Sequence, residues 1–372
     1  MRLLVFGGWF GSRNLGDDAI LIGLREIMAR TVADAEITAI STDPRYTKEV
    51  CGVDAVALQS PRSLLKNRDE YLSNFRDADA VIITGGTPIY DYGYVSRAIH
   101  MGLPALQGKP LILFGVGAKP LISPQGRAIT KLLLRRASAI SVRDMYSKRV
   151  LSQLTTHLIT VTGDSALFIK QEKTLKLLER PAIVVCPRFL SGNYKAHYHT
   201  HLTQTEINVA RQMIAHATDS LKERGFNVYL IPFHTERLDN DLLEASRILE
   251  LTRSRDAALL ERPATPGQAL NLLSSVDLLI GLRLHSLVLA AVAGTPIASV
   301  NYDPKIEGFM QMTYADNYLC GLNSGLDSLT AATLVALDDI EELRNHMLES
   351  VRQMRRRILG EAARIRGILR ET

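Results

Sequence analysis

Arg283 and His285 stand one residue apart in Gly281-Leu282-Arg283-Leu284-His285-Ser286, between a strand-like and a helix-like run. In extended backbone, alternate side chains point the same way. A guanidinium that forks onto a carboxylate or phosphate is thereby set beside an imidazole able to move a proton near neutral pH. Asn301-Tyr302-Asp303-Pro304-Lys305 follows the next strand-like run, and Lys305 is expected to project into the same crevice as His285. By itself Asp303-Pro304 reads as a plain turn. A third motif opens the chain: Gly8-Trp9-Phe10-Gly11-Ser12-Arg13-Asn14-Leu15-Gly16-Asp17-Asp18. Its glycines let the backbone turn sharply and let a ligand reach the amides at a helix start. The spacing differs from a dinucleotide fingerprint, and Asp17-Asp18 would repel a pyrophosphate. Helix capping explains Asn14 and Asp17. It does not explain why two glycines, an asparagine and two aspartates crowd one turn.

Weaker signals recur at other strand ends. They are Gly85-Gly86-Thr87 with Asp91, Gly115-Val116-Gly117, Arg143-Asp144, Gly163-Asp164-Ser165, Pro187-Arg188 and Pro232-Phe233-His234. Together they place glycine, arginine, aspartate and histidine along carboxyl edges of strands, where α/β folds bind ligands. His197, His199 and His201 alternate as zinc ligands on a strand would. No cysteine or carboxylate lies nearby in sequence, so a loop is the favoured reading and no metal is expected.

The elements that must carry these residues follow from periodicity. Leu3 to Phe6, Glu36 to Ser41, Ala80 to Thr84, Pro110 to Val116 and Ala139 to Val142 read as strands. Asp18 to Arg30 and Ala128 to Ala137 read as helices between them. The rhythm repeats with strands at Pro181 to Cys186, Asn227 to Pro232, Asp277 to Ile280 and Pro296 to Val300. Helices are expected at Glu206 to Arg224, Asp241 to Thr252, Pro266 to Ser275 and Ser286 to Ala293. Continuous apolar strands alternating with helices predict an α/β fold with parallel sheets covered on both faces. At roughly 150 residues per domain, 372 residues make two domains and a tail. We place the domains at 1–175 and 176–337, with a basic C-terminal helix at 338–372.

Hydrophobic residues make up 46% of the chain and charged ones 22%, which excludes global disorder. The longest apolar stretch, Ser286 to Val300, is too short to span a membrane. The N-terminus lacks a signal-peptide pattern. Three scattered cysteines form no CxxC pair, so a reducing, cytoplasmic location is expected. The net charge of +5 suits an anionic small molecule or surface, and no nucleic-acid module is present. The tail carries Arg344, Arg352, Arg355, Arg356, Arg357, Arg364, Arg366 and Arg370. Met347, Val351, Met354, Ile358 and Leu359 give it an apolar stripe. That pattern fits a helix packing back on the protein, or one touching anionic lipid at the inner face of the membrane.

These motifs resemble the polysaccharide pyruvyl transferase family. The likeness rests on G-W-F-G-S-R-N-L-G-D-D-A-I-L near the N-terminus and G-L-R-L-H-S-L-V-L-A-A-V-A-G-T-P-I-A-S-V-N-Y-D-P-K toward the C-terminus. S-V-R-D-M-Y-S, T-G-D-S-A, C-P-R and I-P-F-H support it in order between them. G-G-T-P-I-Y-D departs from the more usual triple glycine. The resemblance implies two Rossmann-like domains with parallel sheets facing a cleft, as in GT-B glycosyltransferases, with 1–175 on the acceptor side and 176–337 on the phosphoenolpyruvate side. It implies transfer of pyruvate from phosphoenolpyruvate to two hydroxyls of a lipid-linked or nucleotide-linked sugar, as a cyclic ketal, with phosphate released and no cofactor.

Arg143, Arg188, Arg283 and Lys305 are then the expected phosphoenolpyruvate-binding cations. His285 is the expected general acid, and Asp17 or Asp18 the base. Gly8, Gly11, Asn14, Gly86, Asp91, His234 and Asp303 are the expected substrate contacts. Two rivals remain at this stage: a nucleotide-sugar glycosyltransferase on the same fold, and a non-catalytic saccharide-binding protein.

Overall fold

The structure is a computed structural model that describes residues 1–32, 34–59, 68–91, 94–173, 178–190, 202–236, 239–253 and 257–370. His197, His199 and His201 lie outside the described residues. The chain divides into two units. One comprises Met1–Ser12, Asp17–Phe168 and Met354–Thr372, and the other Arg13–Gly16 and Ile169–Gln353. The chain therefore changes unit at Phe168, and again within the last helix after Gln353.

The first unit runs β1 (Arg2–Phe6), α1 (Leu15–Thr31), β2 (Glu36–Ser41), α2 (Pro44–Cys51), β3 (Asp54–Ala57), α3 (Arg68–Asp77), β4 (Ala80–Ile83), α4 (Tyr94–Leu106), β5 (Leu111–Val116), α5 (Pro124–Leu134), β6 (Ala139–Val142), α6 (Met145–Ser152) and β7 (Ile159–Val161). Its seven strands are parallel in the order β3-β2-β1-β4-β5-β6-β7. β4, β5 and β6 are buried along their whole length, as unbroken apolar runs in a sheet covered on both faces must be. α5 starts at Pro124, earlier than its apolar periodicity suggests. Ser123 caps it there by accepting from the Gly126 amide, and proline suits the first helical turn.

The second unit runs β8 (Ala182–Cys186), α7 (Gln204–Glu223), β9 (Asn227–Leu230), β10 (Thr235–Glu236), β11 (Asp239–Asn240), α8 (Asp241–Leu251), β12 (Ala258–Leu259), α9 (Pro266–Leu273), β13 (Leu278–Gly281), α10 (Leu284–Ala293), β14 (Ile297–Asn301), α11 (Pro304–Met312), β15 (Leu319–Gly321) and α12 (Ser328–Asp338). Six strands form a parallel sheet in the order β12-β9-β8-β13-β14-β15, and β10 and β11 form a small antiparallel pair. Counted from the first strand of each sheet, both follow the doubly wound order 3-2-1-4-5-6, to which the first sheet adds a seventh strand, β7. The order reverses between β1 and β4 in one sheet, and between β8 and β13 in the other. In such sheets, ligands bind at the strand carboxyl ends beside that reversal.

The last helix, α13 (Ile340–Arg370), buries Leu343, Met347, Val351, Met354, Ile358, Ala362, Ile365 and Leu369. Leu359 is half-buried. Its apolar stripe therefore faces protein. Arg344 donates to the Gly294 carbonyl in the second unit, and Arg355 donates to the Leu167 carbonyl in the first. No helix among the described residues is long and apolar enough to cross a membrane.

Candidate active site

Asp241 is the hub of the second unit's strand ends. It is fully buried at the start of α8. One carboxylate oxygen accepts from the Phe189 amide at 3.0 Å, just beyond β8. The other accepts from the Phe233 and His234 amides at 3.2 and 2.9 Å, just beyond β9. Arg283, just beyond β13, closes the knot. Its Nε and Nη2 grip Asp241, and its Nη1 and Nη2 grip Asp239 at 3.0 and 2.7 Å. Four of the five guanidinium N–H groups are engaged by this pair of carboxylates. Burial alone would lower the Arg283 pKa, but Asp239 and Asp241 raise it well above the ordinary range. Burial would likewise raise Asp239, yet Arg283, His234 and Arg188 hold its carboxyl far below the usual range. The His234 Nδ1 lies 3.2 Å from that carboxylate.

The same edge carries Arg188 and the Asn301–Lys305 motif. Arg188 is buried and donates to the Tyr302 hydroxyl at 3.0 Å, and that hydroxyl donates to the Leu282 carbonyl. Burial, opposed by Arg188, raises the Tyr302 phenol and keeps it a neutral donor. Asp303 caps α11 through the Lys305 amide, and Lys305 Nζ lies 3.6 Å from its carboxylate. Burial also raises the Cys186 thiol beneath the cluster, which keeps it protonated.

His285 is half-buried near the start of α10. Its ring sits against Gly16, where a Cβ would come within 2.2 Å of Nδ1. Arg13–Gly16 belongs to this unit because Asn14 bridges to His234 and the Leu15 amide donates to the Phe233 carbonyl. The Asn14 side chain also accepts from the Gly16 amide, shaping the turn. The glycine–asparagine motif at one end of the sequence thus frames both histidines of the other. Arg188, His234, Arg283, His285, Asp303, Lys305 and Asn14 all belong to this one unit.

The remaining expected residues belong to the first unit. Arg143, just beyond β6, is buried against Asp144 at 3.1 Å and Asp164 at 3.7 Å, and donates weakly to Thr87 at 3.4 Å. Gly117 leaves room for it and for the Gly86 carbonyl. Asp18 points inward, accepting from the Tyr46 hydroxyl at 2.8 Å and lying beside the buried Cys51 thiol. Asp17 is almost fully buried in the same helical turn. Asp91 accepts three hydrogen bonds from Ser123 and so buttresses α5. Gly8 makes room for the Phe10 ring, and Gly11 for Ser41 and Asp43.

Sequence reasoning missed Asp239, Asp241 and Tyr302. Acidic residues near a loop read as solvated, and only their burial marks them. Among the described residues, no group of three or more metal-ligating side chains is placed to hold an ion. Chemically, the second unit offers two histidines with cations of two kinds, rigid guanidinium and mobile ammonium. That set suits proton transfer on an anionic substrate.

Both sheets define an α/β protein of the GT-B-like class. The chain is similar to a glycosyltransferase from Rickettsia africae, at 10% identity with a TM-score of 0.63, covering 99% of this chain and 98% of that one. It is similar to a UDP-GlcNAc 2-epimerase from Neisseria meningitidis solved with UDP-GlcNAc, at 12% identity and a TM-score of 0.57, covering 94% of each chain. These likenesses concern the fold. Residues 14–304 match the model of the polysaccharide pyruvyl transferase family, and the chain belongs to that family. It is also 25% identical over 315 residues to the amylovoran biosynthesis protein AmsJ of Erwinia amylovora, covering 78% of this chain and 74% of that protein.

Proposed function

We propose that this pyruvyl transferase moves pyruvate from phosphoenolpyruvate onto two hydroxyls of one sugar in a polysaccharide precursor, forming a cyclic ketal. The observation that carries the reading is the seating of His285 on Gly16, at a strand edge that also holds Arg188, His234 and Lys305. His285 protonates the methylene carbon of phosphoenolpyruvate while a sugar hydroxyl oxygen bonds to its central carbon. The second hydroxyl then displaces phosphate. Of the two hydroxyl protons, one is balanced by the new methyl group and the other leaves with phosphate. Arg188 and Lys305 take the donor's anionic groups. Arg283, already gripped by two carboxylates, holds the strand ends in register.

No resident cofactor enters this scheme. The acceptor is lipid-linked or nucleotide-linked, and the exposed arginines of α13 provide a peripheral contact for anionic lipid. The test is phosphate release that requires both phosphoenolpyruvate and a saccharide acceptor, with an acid-labile pyruvate detected on the product by mass spectrometry. His285→Asn is expected to lower kcat by about 10²–10⁴-fold. Release of a nucleotide from a sugar donor, with no dependence on phosphoenolpyruvate, would overturn the reading.

A further inference from the structure

The first unit holds a pocket that the donor chemistry does not use. It opens beside the reversal point of the first sheet, past the ends of β1, β2, β3 and β4, and has a volume of about 250 Å³. Phe6, Trp9, Phe10, Leu58 and Tyr90 line it, together with Arg97 from α4. Its floor exists because Gly7 and Gly85 both adopt positive φ, 124° and 123°. A Cβ on Gly7 would reach 2.3 Å from the Thr84 carbonyl oxygen, and one on Gly85 would reach 2.5 Å from the Gly8 amide. Two strand ends therefore meet backbone to backbone, and the aromatic rings stand around the gap.

Three features identify the occupant. Sites for drug-sized ligands run roughly 300–1,000 Å³, so this smaller space suits one ring rather than an oligosaccharide. Trp9 is half-buried in the lining, and an aromatic face there suits the C–H face of a pyranose. Arg97 is the charged residue among those described in the lining, and only 3% of its surface is exposed. Its guanidinium lies 5.6 Å from the Tyr90 ring centre. Burial lowers its pKa to about 10, with Tyr90 and Asp91 opposing, so it remains charged at neutral pH. A desolvated guanidinium in an aromatic wall discriminates strongly between neutral and anionic ligands.

We infer that this pocket is the acceptor-sugar subsite, that Trp9 is its stacking platform, and that Arg97 selects a sugar bearing a carboxylate or phosphate. The inference rests on the pyruvyl-transfer reading for its acceptor, but not for its binding prediction.

Trp9 is the chain's single tryptophan, so its emission reports on this pocket alone. Wild type is titrated with methyl β-D-glucuronide, with glucose 1-phosphate and with neutral methyl β-D-glucoside, and binding is followed in parallel by equilibrium dialysis. We expect at least one acidic sugar to perturb Trp9 emission with an affinity about tenfold or more above the neutral one, a gap of roughly 1.4 kcal/mol. The preference should vanish in Arg97→Gln, persist in weakened form in Arg97→Lys, and binding should fall in Trp9→Leu. Circular dichroism confirms that each variant folds.

Equal affinity for acidic and neutral sugars overturns the inference. So does a preference that survives in Arg97→Gln, binding by dialysis without a change in Trp9 emission, or no binding of any of the three. Glucuronide and phosphate arms distinguish a uronate from a phosphosugar acceptor. If Trp9 reports acidic sugars but phosphoenolpyruvate-dependent phosphate release is absent, the subsite stands and the reaction assignment falls. If release proceeds unchanged in Arg97→Gln, the reverse holds.

Discussion

Gly16 and His285 show how closely single side chains are matched in the second unit. With Nδ1 only 2.2 Å from the position a Cβ would take, Gly16→Ala must push the imidazole away. Overpacking of this kind costs about 1–3 kcal/mol, but if His285 is the general acid we propose, displacing its ring loses far more rate than stability. We expect kcat to fall by about 100-fold while far-UV circular dichroism is unchanged, and steady-state kinetics with phosphoenolpyruvate checks it. Asp239 makes a pH-dependent contribution whose sign follows from its lowered pKa. Its ion pairs stabilise the fold fully above the unfolded carboxyl value of about 3.9. That stability is lost progressively as pH falls below this value toward the folded pKa. Urea unfolding of wild type and Asp239→Asn is therefore expected to differ most near neutrality and to converge as the solution is acidified below about pH 4.

At the scale of elements, α13 divides its surface between two tasks. Gly163 lies against Met354 and Ile358, where a Cβ would come within 3.2 and 3.4 Å of their side chains. Met354→Ala and Ile358→Ala should each cost about 2–5 kcal/mol, read from denaturant midpoints. Arg356, Arg357, Arg366 and Arg370 on the outer side are exposed, and changing them to glutamate should leave stability within about 0.5 kcal/mol. If that side meets anionic lipid, sedimentation with phosphatidylserine vesicles should weaken by about 1 kcal/mol per charge removed. Unchanged sedimentation removes the lipid contact and leaves α13 a packing element.

For the whole molecule, the two units are expected to respond to different ligands. Phosphoenolpyruvate at about one hundred times its dissociation constant should add about 2.7 kcal/mol to stability. The melting shift should be lost in Lys305→Ala and kept in Arg97→Gln, because these residues lie in different units. A nucleotide that shifts melting when phosphoenolpyruvate does not would return the chain to the glycosyltransferase reading.

Much of this organisation is legible in the amino-acid order. The strands β1, β2, β4, β5, β6, β8, β9, β13 and β14 announce themselves because a doubly covered parallel strand must be apolar on both faces. β3, β7, β12 and β15 do not, because two to four residues at or near a sheet edge carry too little pattern. The Gly281–Ser286 and Asn301–Lys305 motifs stand at strand ends because glycine, proline and polar residues break the apolar runs there. Local chemistry alone therefore determined the α/β class, the two-sheet plan and the residue types available for binding an anion and moving a proton. Tertiary structure decided which of those residues meet. Asn14 and Gly16 reach His234 and His285 across more than two hundred positions. Arg283, which by type suits a ligand anion, is gripped by Asp239 and Asp241 instead. A guanidinium binds whichever carboxylates are nearest, and nearness is a property of the folded backbone rather than of the order of residues along it.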